Sequence, residues 1–538
     1  MTADKLILSV DIGTTEIKSV LVSSKDGYLD SRKTACPLLY PEKNSVEQSP
    51  QDMAEGVYST IRELLEEHPE MVQHIAGLTF TSQMGNTLPV DKAGKPLMNF
   101  FSWMDERTAR FTMDELYKGL IRIEGQPLLM ILKFLKISGG APGKNGKDIL
   151  CKMAWLKRYH SNLYRKTYKF LDVKDFAVFL ATGRFVTSYD IAYITWLLDT
   201  RNKDQSQWSW SPTLHRMTGL DIEKMLELKA STEIVGGVTT EFFERTGLPE
   251  GIPVINGSGD LLTSAIGSGA IDMGNLHINI GTAGWVATHC PVAAVDIKHY
   301  VGTIASGMPG KFLLLSKQET LGGALDWVKN MLYPKALLKE TPDETPNEIS
   351  NDEIYAMIDE SVNQSPPGAN GVLFTPWLLG ERSPVNDANL RGQFFNLGLD
   401  TTRSDLFRSV FEGVAFNIRW GMEYVESISQ KKTGATSEEL RFIGGASKSA
   451  TWCQVFSDVL QRPVVKMGNP QMACAMGVAA IAFVSLGIWK DFKEIERVLE
   501  KVRIFHPNKN NKAVYDKLYK QFRELYPKNR KIYAKLNA

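Results

Sequence analysis

The sequence predicts an α/β protein of two related domains. Three observations carry that prediction. Short apolar strands alternate with helical patterns, as in sheets covered by helices. The tripeptide Ile-Gly-Thr closes an apolar strand twice, at Ile12-Gly13-Thr14 and Ile280-Gly281-Thr282, half a chain apart. Solenoid repeats recur over far shorter distances, so this spacing suggests two domains facing each other. The length of 538 residues also exceeds what one core usually supports.

The first hairpin is read from residues 6–22. Leu6, Ile7, Leu8 and Val10 form one strand, and Ile17, Val20, Leu21 and Val22 the other. Gly13 lets the backbone approach a ligand closely, and the Thr14 and Thr15 hydroxyls are donors suited to phosphate oxygens. Asp11 ends the strand, where it could hold a metal ion or its waters. An ordinary hairpin can use the same residues. The echo at 276–288, LHINIGTAGWVAT, turns the pair into candidate jaws for a nucleoside triphosphate.

Between the hairpins, residues 28–36 read as a strand and 49–67 as a helix. Ser49 is its N-cap, Pro50 its first residue, and Met53, Val57, Ile61, Leu64 and Leu65 its apolar face. A buried strand at 75–80 delivers Gln83-Met84-Gly85-Asn86 to a strand end, where open α/β sheets place their ligands. A helix is expected to start near 102–107. The Gly- and Lys-rich stretch 136–147 lacks P-loop spacing and reads as a surface loop. Helical patterns follow at 148–159 and 173–182, then a loop at 201–213. The domain boundary falls between about 250 and 275, giving domains 1–256 and 257–495 with a tail at 496–538. Further helices are expected at 318–331, 351–361, 404–428, 449–460 and 472–486. The polar segment 335–352 should be exposed, and the basic tail should be a solvated helix.

Composition narrows the class. The net charge of +1 argues against a dedicated nucleic-acid surface, and no apolar run reaches membrane-spanning length. Cys36, Cys151, Cys290, Cys453 and Cys474 are scattered without CxxC spacing, which fits a reducing cytoplasm and neither zinc nor a disulfide framework.

Three further places could carry chemistry. Asp260 follows the glycine-flanked turn Asn256-Gly257-Ser258-Gly259 and could accept the proton of an attacking hydroxyl; a plain N-cap is the alternative. Gly444-Gly445-Ala446-Ser447 lies between a strand and a helix, a device that suits an adenine lying on backbone. Gly380-Glu381-Arg382-Ser383-Pro384 reads as a structural ion-pair hub or a hinge more than as a direct catalytic element.

The ordered set resembles the FGGY family of carbohydrate kinases. It comprises Asp11-Ile12-Gly13-Thr14-Thr15; Ser82-Gln83-Met84; Trp103-x-Asp105-x-Arg107; Gly259-Asp260; Ile280-Gly281-Thr282; Gly380 to Pro384; Glu412-Gly413; and Gly444 to Ser447 with Ala475-Met476-Gly477. The resemblance covers about 6–490. It implies two ribonuclease-H-like domains of the actin and hexokinase type, with ATP in a catalytic cleft between them. Asp260 would be the catalytic base and Asp11 the Mg²⁺ ligand. Gly13, Thr14, Thr15, Lys18, Gly281 and Thr282 would contact phosphates, and Gly444, Gly445, Ala446 and Ser447 the adenosine. Gln83, Met84, Trp103, Asp105 and Asp260 would meet the sugar. Gly85 stands where xylulokinases and gluconokinases carry a histidine, the Arg-Glu pair of glycerol kinases is absent, and 118–150 looks like an insertion. The expected activity is a xylulokinase-like, Mg-ATP-dependent sugar kinase, with ribulose, gluconate or erythritol as other acceptors and a sugar-independent ATPase switch as the other class. A homodimer is compatible with it.

Overall fold

The computed structural model describes residues 4–119, 121–123, 126–333 and 350–537. The chain packs as two compact units. The first holds residues 1–271, 304–313 and 472–499; the second holds 272–303, 314–471 and 500–538.

The first unit is built on β1 (Leu6–Ile12), β2 (Glu16–Ser23), β3 (Gly27–Ala35), β4 (Ile75–Ser82), β5 (Ile234–Gly237) and β6 (Pro253–Gly259), in the order β5-β6-β4-β1-β2-β3. β1, β2 and β3 form an antiparallel meander, while β4 lies parallel to β1 and β6 parallel to β4. Every residue of β1 is buried, because helices cover both faces. Leu6, Leu8, Val10 and Ile12 pack toward the helix Pro50–Glu67, and Ile7 toward the opposite layer with Val20 and Val22. The helix starts as the sequence predicts. Ser49 Oγ accepts the Asp52 N–H at 3.1 Å, a cap that stabilises by about 1 kcal/mol. Met53, Val57, Ile61, Leu64 and Leu65 are its buried stripe.

The second unit is built on β7 (Leu276–Ile280), β8 (Gly284–Cys290), β9 (Val295–Asp296), β10 (Val301–Ala305), β11 (Phe312–Gln318), β12 (Leu440–Ile443), β13 (Val464–Met467) and β14 (Lys501–Phe505). Their order is β9-β10-β11-β8-β7-β12-β13-β14. The hairpin β7–β8 is antiparallel, β12 runs parallel to β7, and β13 parallel to β12. The sheets repeat one pattern: β3-β2-β1-β4-β6 corresponds to β11-β8-β7-β12-β13. The twin Ile-Gly-Thr turns occupy equivalent hairpins, so the internal repeat is a repeat of topology.

Several expectations need correction. The packing divides the chain after residue 271, inside the expected window of 250–275 but beyond 256, because β6 joins the first sheet and the helix Asp260–Gly267 packs in the first unit. The helix Ala473–Ser485 also returns to the first unit, where its alanine-rich length packs with Ile7, Val20, Ile255 and Ile266. The tail is not a solvated appendage. β14 pairs with β13, and Tyr515 and Phe522 of the helix Lys512–Asn537 are 0 % exposed, with Phe522 against Trp377 and Phe416. Lys and Arg dominate its outer face and concealed the aromatic inner stripe. The helix expected near 102–107 begins only at Ala109, and 201–213 carries the short turns Gln205–Gln207 and the start of Pro212–Thr218. The helices of the second unit lie at Gly322–Leu332, Asn351–Gln364, Arg403–Thr433 and Ala450–Leu460, close to where periodicity puts them. Residues 334–349 of the expected exposed segment lie outside the described residues.

Candidate active site

Two carboxylates and an amine gather in the first unit. Asp11, next to last in β1, is 6 % exposed and faces Lys18 across the hairpin register. Burial raises the Asp11 carboxyl above its ordinary range, although Lys18 opposes the shift. Burial works to lower Lys18, but the charges of Asp11 and Glu16 outweigh it and the amine is held above its ordinary value. Asp260 is the first residue of the helix Asp260–Gly267. Its Oδ1 accepts the Leu261 N–H at 2.7 Å. The Cys474 thiol donates to the Asp260 carbonyl at 3.7 Å. Burial pushes that thiol well above its ordinary value, and the charges of Asp11 and Asp260 add to the effect. Asp11, Lys18 and Asp260 therefore act on one sulfur. Asp190, 1 % exposed, holds the approach to Asp260: its Oδ2 accepts Ser258 Oγ at 2.8 Å and the Gly259 N–H at 2.7 Å.

The end of β4 meets the same hairpin. Gln83 N–H donates to the Ile12 carbonyl at 2.9 Å. Thr14 Oγ1 donates to Gln83 Oε1 at 3.2 Å and accepts Trp103 Nε1 at 3.2 Å, so this hydroxyl serves the Gln83–Trp103 side of the turn. Gln83 Nε2 donates to Gln48 Oε1 at 2.6 Å, and Gln48 Nε2 to the Thr14 carbonyl at 3.0 Å. Gln83 is accordingly 2 % exposed, whereas Met84 and Trp103 are half-buried. Met84 lies directly over Gly259, where a Cβ would meet its sulfur at 2.2 Å. Asp105 is 0 % exposed. It accepts the Val46 N–H at 2.8 Å and two guanidinium nitrogens of Arg107 at 2.9 and 2.7 Å. Asp105 thus shapes the loop from behind instead of presenting an oxygen at the surface. Thr15 is exposed at the hairpin tip and Gly13 is half-buried.

In the second unit, Gly281 and Thr282 are exposed at the tip of β7–β8. The helix Gly322–Leu332 starts on this turn. Gly322 N–H donates to the Gly281 carbonyl at 2.9 Å and Gly323 N–H to that of Thr282 at 3.1 Å. Gly444 packs on the same hairpin, where a Cβ would lie 2.6 Å from the Ile280 carbonyl. Gly445 is exposed and Ala446 half-buried. Ser447 departs from its expected place: it is 0 % exposed, and its hydroxyl donates to the Gly444 carbonyl at 2.7 Å. It closes the turn from inside.

Residues 6–267 match the N-terminal domain, and residues 276–486 the C-terminal domain, of the FGGY family of carbohydrate kinases. The chain belongs to that family. It is 26% identical over 537 residues to a xylulose kinase of Bacillus subtilis (strain 168), covering 99% of both chains. It is 24% identical to a gluconokinase of the same organism over 92% of this chain and 90% of the relative. Among solved structures, its fold matches a gluconate kinase from Lactobacillus acidophilus with a TM-score of 0.83 at 23% identity, over 99% of this chain and 100% of the other. A xylulose kinase from Lactobacillus acidophilus matches with a TM-score of 0.82 at 23% identity and the same coverage. The sequence-based expectation of a two-domain carbohydrate kinase is therefore met.

Two family motifs serve as framework. Glu412 is 2 % exposed and its Oε1 accepts from Arg408 at 2.8 Å, Tyr515 at 3.0 Å and the Gly368 N–H at 2.9 Å. Glu381 is a hydrogen-bond hub, and the ion pair of the cluster lies between Arg382 and Glu319. Glu381 accepts Asn417 Nδ2 at 2.6 Å and the backbone N–H groups of Arg382 at 2.8 Å and Glu319 at 3.0 Å, while Arg382 pairs with Glu319 at 2.7 Å. Burial pushes its carboxyl up to about 8 from 4.5. The folded state holds a proton that the unfolded chain releases near 4.5, so this contribution to stability is complete below that pH. It is lost as pH rises to about 8. Thermal melts should show the Tm of wild type falling relative to that of Glu381→Gln as pH rises from 5 to 8. A difference independent of pH would remove the assignment.

Sequence reasoning missed Gln48, Lys152, Asp172 and Asp190, and gave Cys474 no role at the site. Lys152 alone left a signal: a lysine interrupting the apolar run ILCKMAWL. The others are polar residues whose partners lie far away in sequence.

Proposed function

We propose that this kinase transfers the γ-phosphate of ATP to a hydroxyl of D-xylulose or a closely related ketose. The observation that carries the reading is the gathering of Asp11, Lys18 and Asp260 around Cys474, beside Met84 and Trp103. Asp260 accepts the proton of the attacking hydroxyl, from a helix start that leaves its carboxylate half-buried. Asp11 fits a cation, since its carboxylate is buried with only partial compensation from Lys18. Asp11 would hold Mg²⁺ directly or through waters, and bound Mg²⁺ would neutralise charge on the transferring phosphates. We assign phosphate contacts to Gly13, Thr15 and Lys18 of the first unit and to Gly281 and Thr282 of the second. Thr14 orients Gln83 and Trp103 as well as the turn. Gly444, Gly445 and Ala446 carry the adenosine, with Ser447 bracing them. Met84 and Trp103 face the sugar, while Gln83 and Asp105 hold the loops behind them.

Charge favours a neutral acceptor over a sugar acid. Arg107 is engaged by Asp105 and by Glu47 at 2.7 Å, and Lys152 by two carbonyls. A gluconate carboxylate would have to displace one of these partners. The names of three relatives at 26% identity, all xylulose kinases, point the same way. A homodimer and a cytoplasmic setting belong to the same proposal; the five cysteines are free, and among the described residues no helix is long and apolar enough to cross a membrane.

The test is ADP release with D-xylulose, D-ribulose, D-gluconate, erythritol and glycerol. D-xylulose should give the highest kcat/KM. Greater efficiency with gluconate would replace the acceptor. ADP release that no acceptor stimulates would replace the kinase with an ATPase switch.

A further inference from the structure

Lys152 lies inside the helix Ile149–Tyr159 and is 0 % exposed. Burying an ammonium is costly unless hydrogen bonds and charges compensate, so its partners indicate what it does. Nζ donates to the Gly85 carbonyl at 2.9 Å and to the Ser102 carbonyl at 2.8 Å. One carbonyl belongs to the loop carrying Gln83 and Met84, the other to the loop carrying Trp103. The lysine ties the two together.

Asp172 completes the clamp. The Gly85 N–H donates to its Oδ2 at 2.8 Å, and the Asn86 N–H and Nδ2 donate to Oδ1 at 3.1 and 3.0 Å. Asn86 Oδ1 then accepts the Trp103 N–H at 3.0 Å. Gly85 is thereby held by both its backbone groups, at φ +93, a conformation that strains any side chain. The histidine that xylulokinases and gluconokinases carry here could not occupy this backbone without strain. The charges of Asp105, Asp172 and Asp148 favour the ammonium, yet burial prevails and lowers Lys152 to about 8. The contact exists despite an opposing solvation cost.

We propose that Lys152 is the positioning residue of the acceptor site, holding the Gly85 and Ser102 loops at the separation that sets Met84 against Trp103 and thereby selects the sugar. The proposal rests on the sugar-kinase reading. Its test uses the full-length enzyme with the same acceptors. Lys152→Met should raise the KM of the best acceptor by about tenfold or more and flatten the ranking of acceptors, leaving the KM of ATP within about twofold. Lys152→Gln, which keeps two N–H donors, should restore part of the ranking. A general loss of structure would move both KM values together and leave the ranking intact, and that result overturns the proposal.

Gly85→Ala covers the case in which the lysine variants do not fold. An added Cβ meets only Trp103 Cβ at 3.5 Å, so the change acts through the positive φ. It should raise the acceptor KM selectively; an acceptor KM unchanged in this variant overturns the proposal. Wild-type turnover separates the two levels of inference. If wild type turns over and the variants keep its ranking, positioning by Lys152 is wrong and the kinase reading stands. If no acceptor supports turnover in wild type, both fall.

Discussion

Asp260→Asn should lose between about 10²- and 10⁴-fold in kcat, the usual worth of a positioned general base, while binding ATP as wild type does. The substitution isolates the chemistry. Asparagine Oδ1 can still accept the Leu261 N–H now bonded at 2.7 Å, so the first turn of the helix Asp260–Gly267 keeps its start. Asp190 still holds Ser258 and Gly259, and Met84 still covers Gly259. The Tm should therefore stay within about 2 °C of wild type, as expected for a substitution that creates neither a cavity nor an unpaired buried charge. What changes is the ability to receive a proton. Steady-state ADP release gives kcat, and calorimetric titration with ATP gives the affinity. A loss in kcat smaller than tenfold would leave Asp260 a helix-start residue and move the base elsewhere. Asp11 would be the first replacement to test, since it shares the Cys474 environment.

The fold was legible in the sequence because its signals are local. Leu6 to Val22 alternate across two buried layers, and Ser49-Pro50 marks a helix start that needs no tertiary partner. The twin Ile-Gly-Thr turns announced a repeated topology. The boundary was legible only as the window 250–275; its place at 271 depends on which sheet β6 joins, and β6 pairs with β4 across more than 170 residues. The terminal helix misled for a related reason. Its mean hydropathy is low, but Tyr515, Tyr519 and Phe522 on one face are enough to dock it.

The site was legible by residue type more than by role. Asp11, Lys18 and Asp260 gather around Cys474, while Trp103 bonds to Thr14, a contact that residue spacing did not suggest. Asp105, Gln83 and Ser447 were expected at the surface because motif matching does not see burial. Each instead turns its side chain inward: Asp105 to Val46 and Arg107, Gln83 to Thr14 and Gln48, and Ser447 to the Gly444 carbonyl. Exposure separates groups that touch a ligand from groups that hold them, and spacing alone does not.

The second large effect expected is at Gly477, where alanine should both destabilise the enzyme and slow it by about 100-fold. The helices Asp260–Gly267 and Ala473–Ser485 cross backbone to backbone. A Cβ at Gly477 would lie 1.8 Å from the Thr263 carbonyl, and one at Gly267 would lie 1.7 Å from that of Ala473. Neither obstacle is the flexible end of a side chain, so one helix must shift by more than an ångström. Two terms then compete. Replacing glycine by alanine within a helix stabilises by about 1 kcal/mol through propensity. Overpacking a close-packed core costs about 1–3 kcal/mol and occasionally more. A backbone clash below 2 Å belongs at the upper end, so the cost wins and the Tm should fall by several degrees. Activity should fall further than stability, because the displaced helix carries Asp260, and misplacing a reacting group by about 1 Å can cost 10²-fold. Gly267→Ala meets the same crossing from the other helix and should reproduce both effects, although it leaves Ala475-Met476-Gly477 untouched. A Tm raised in both variants, with kcat within about threefold of wild type, would mean that helix propensity prevailed and that the crossing has room to spare.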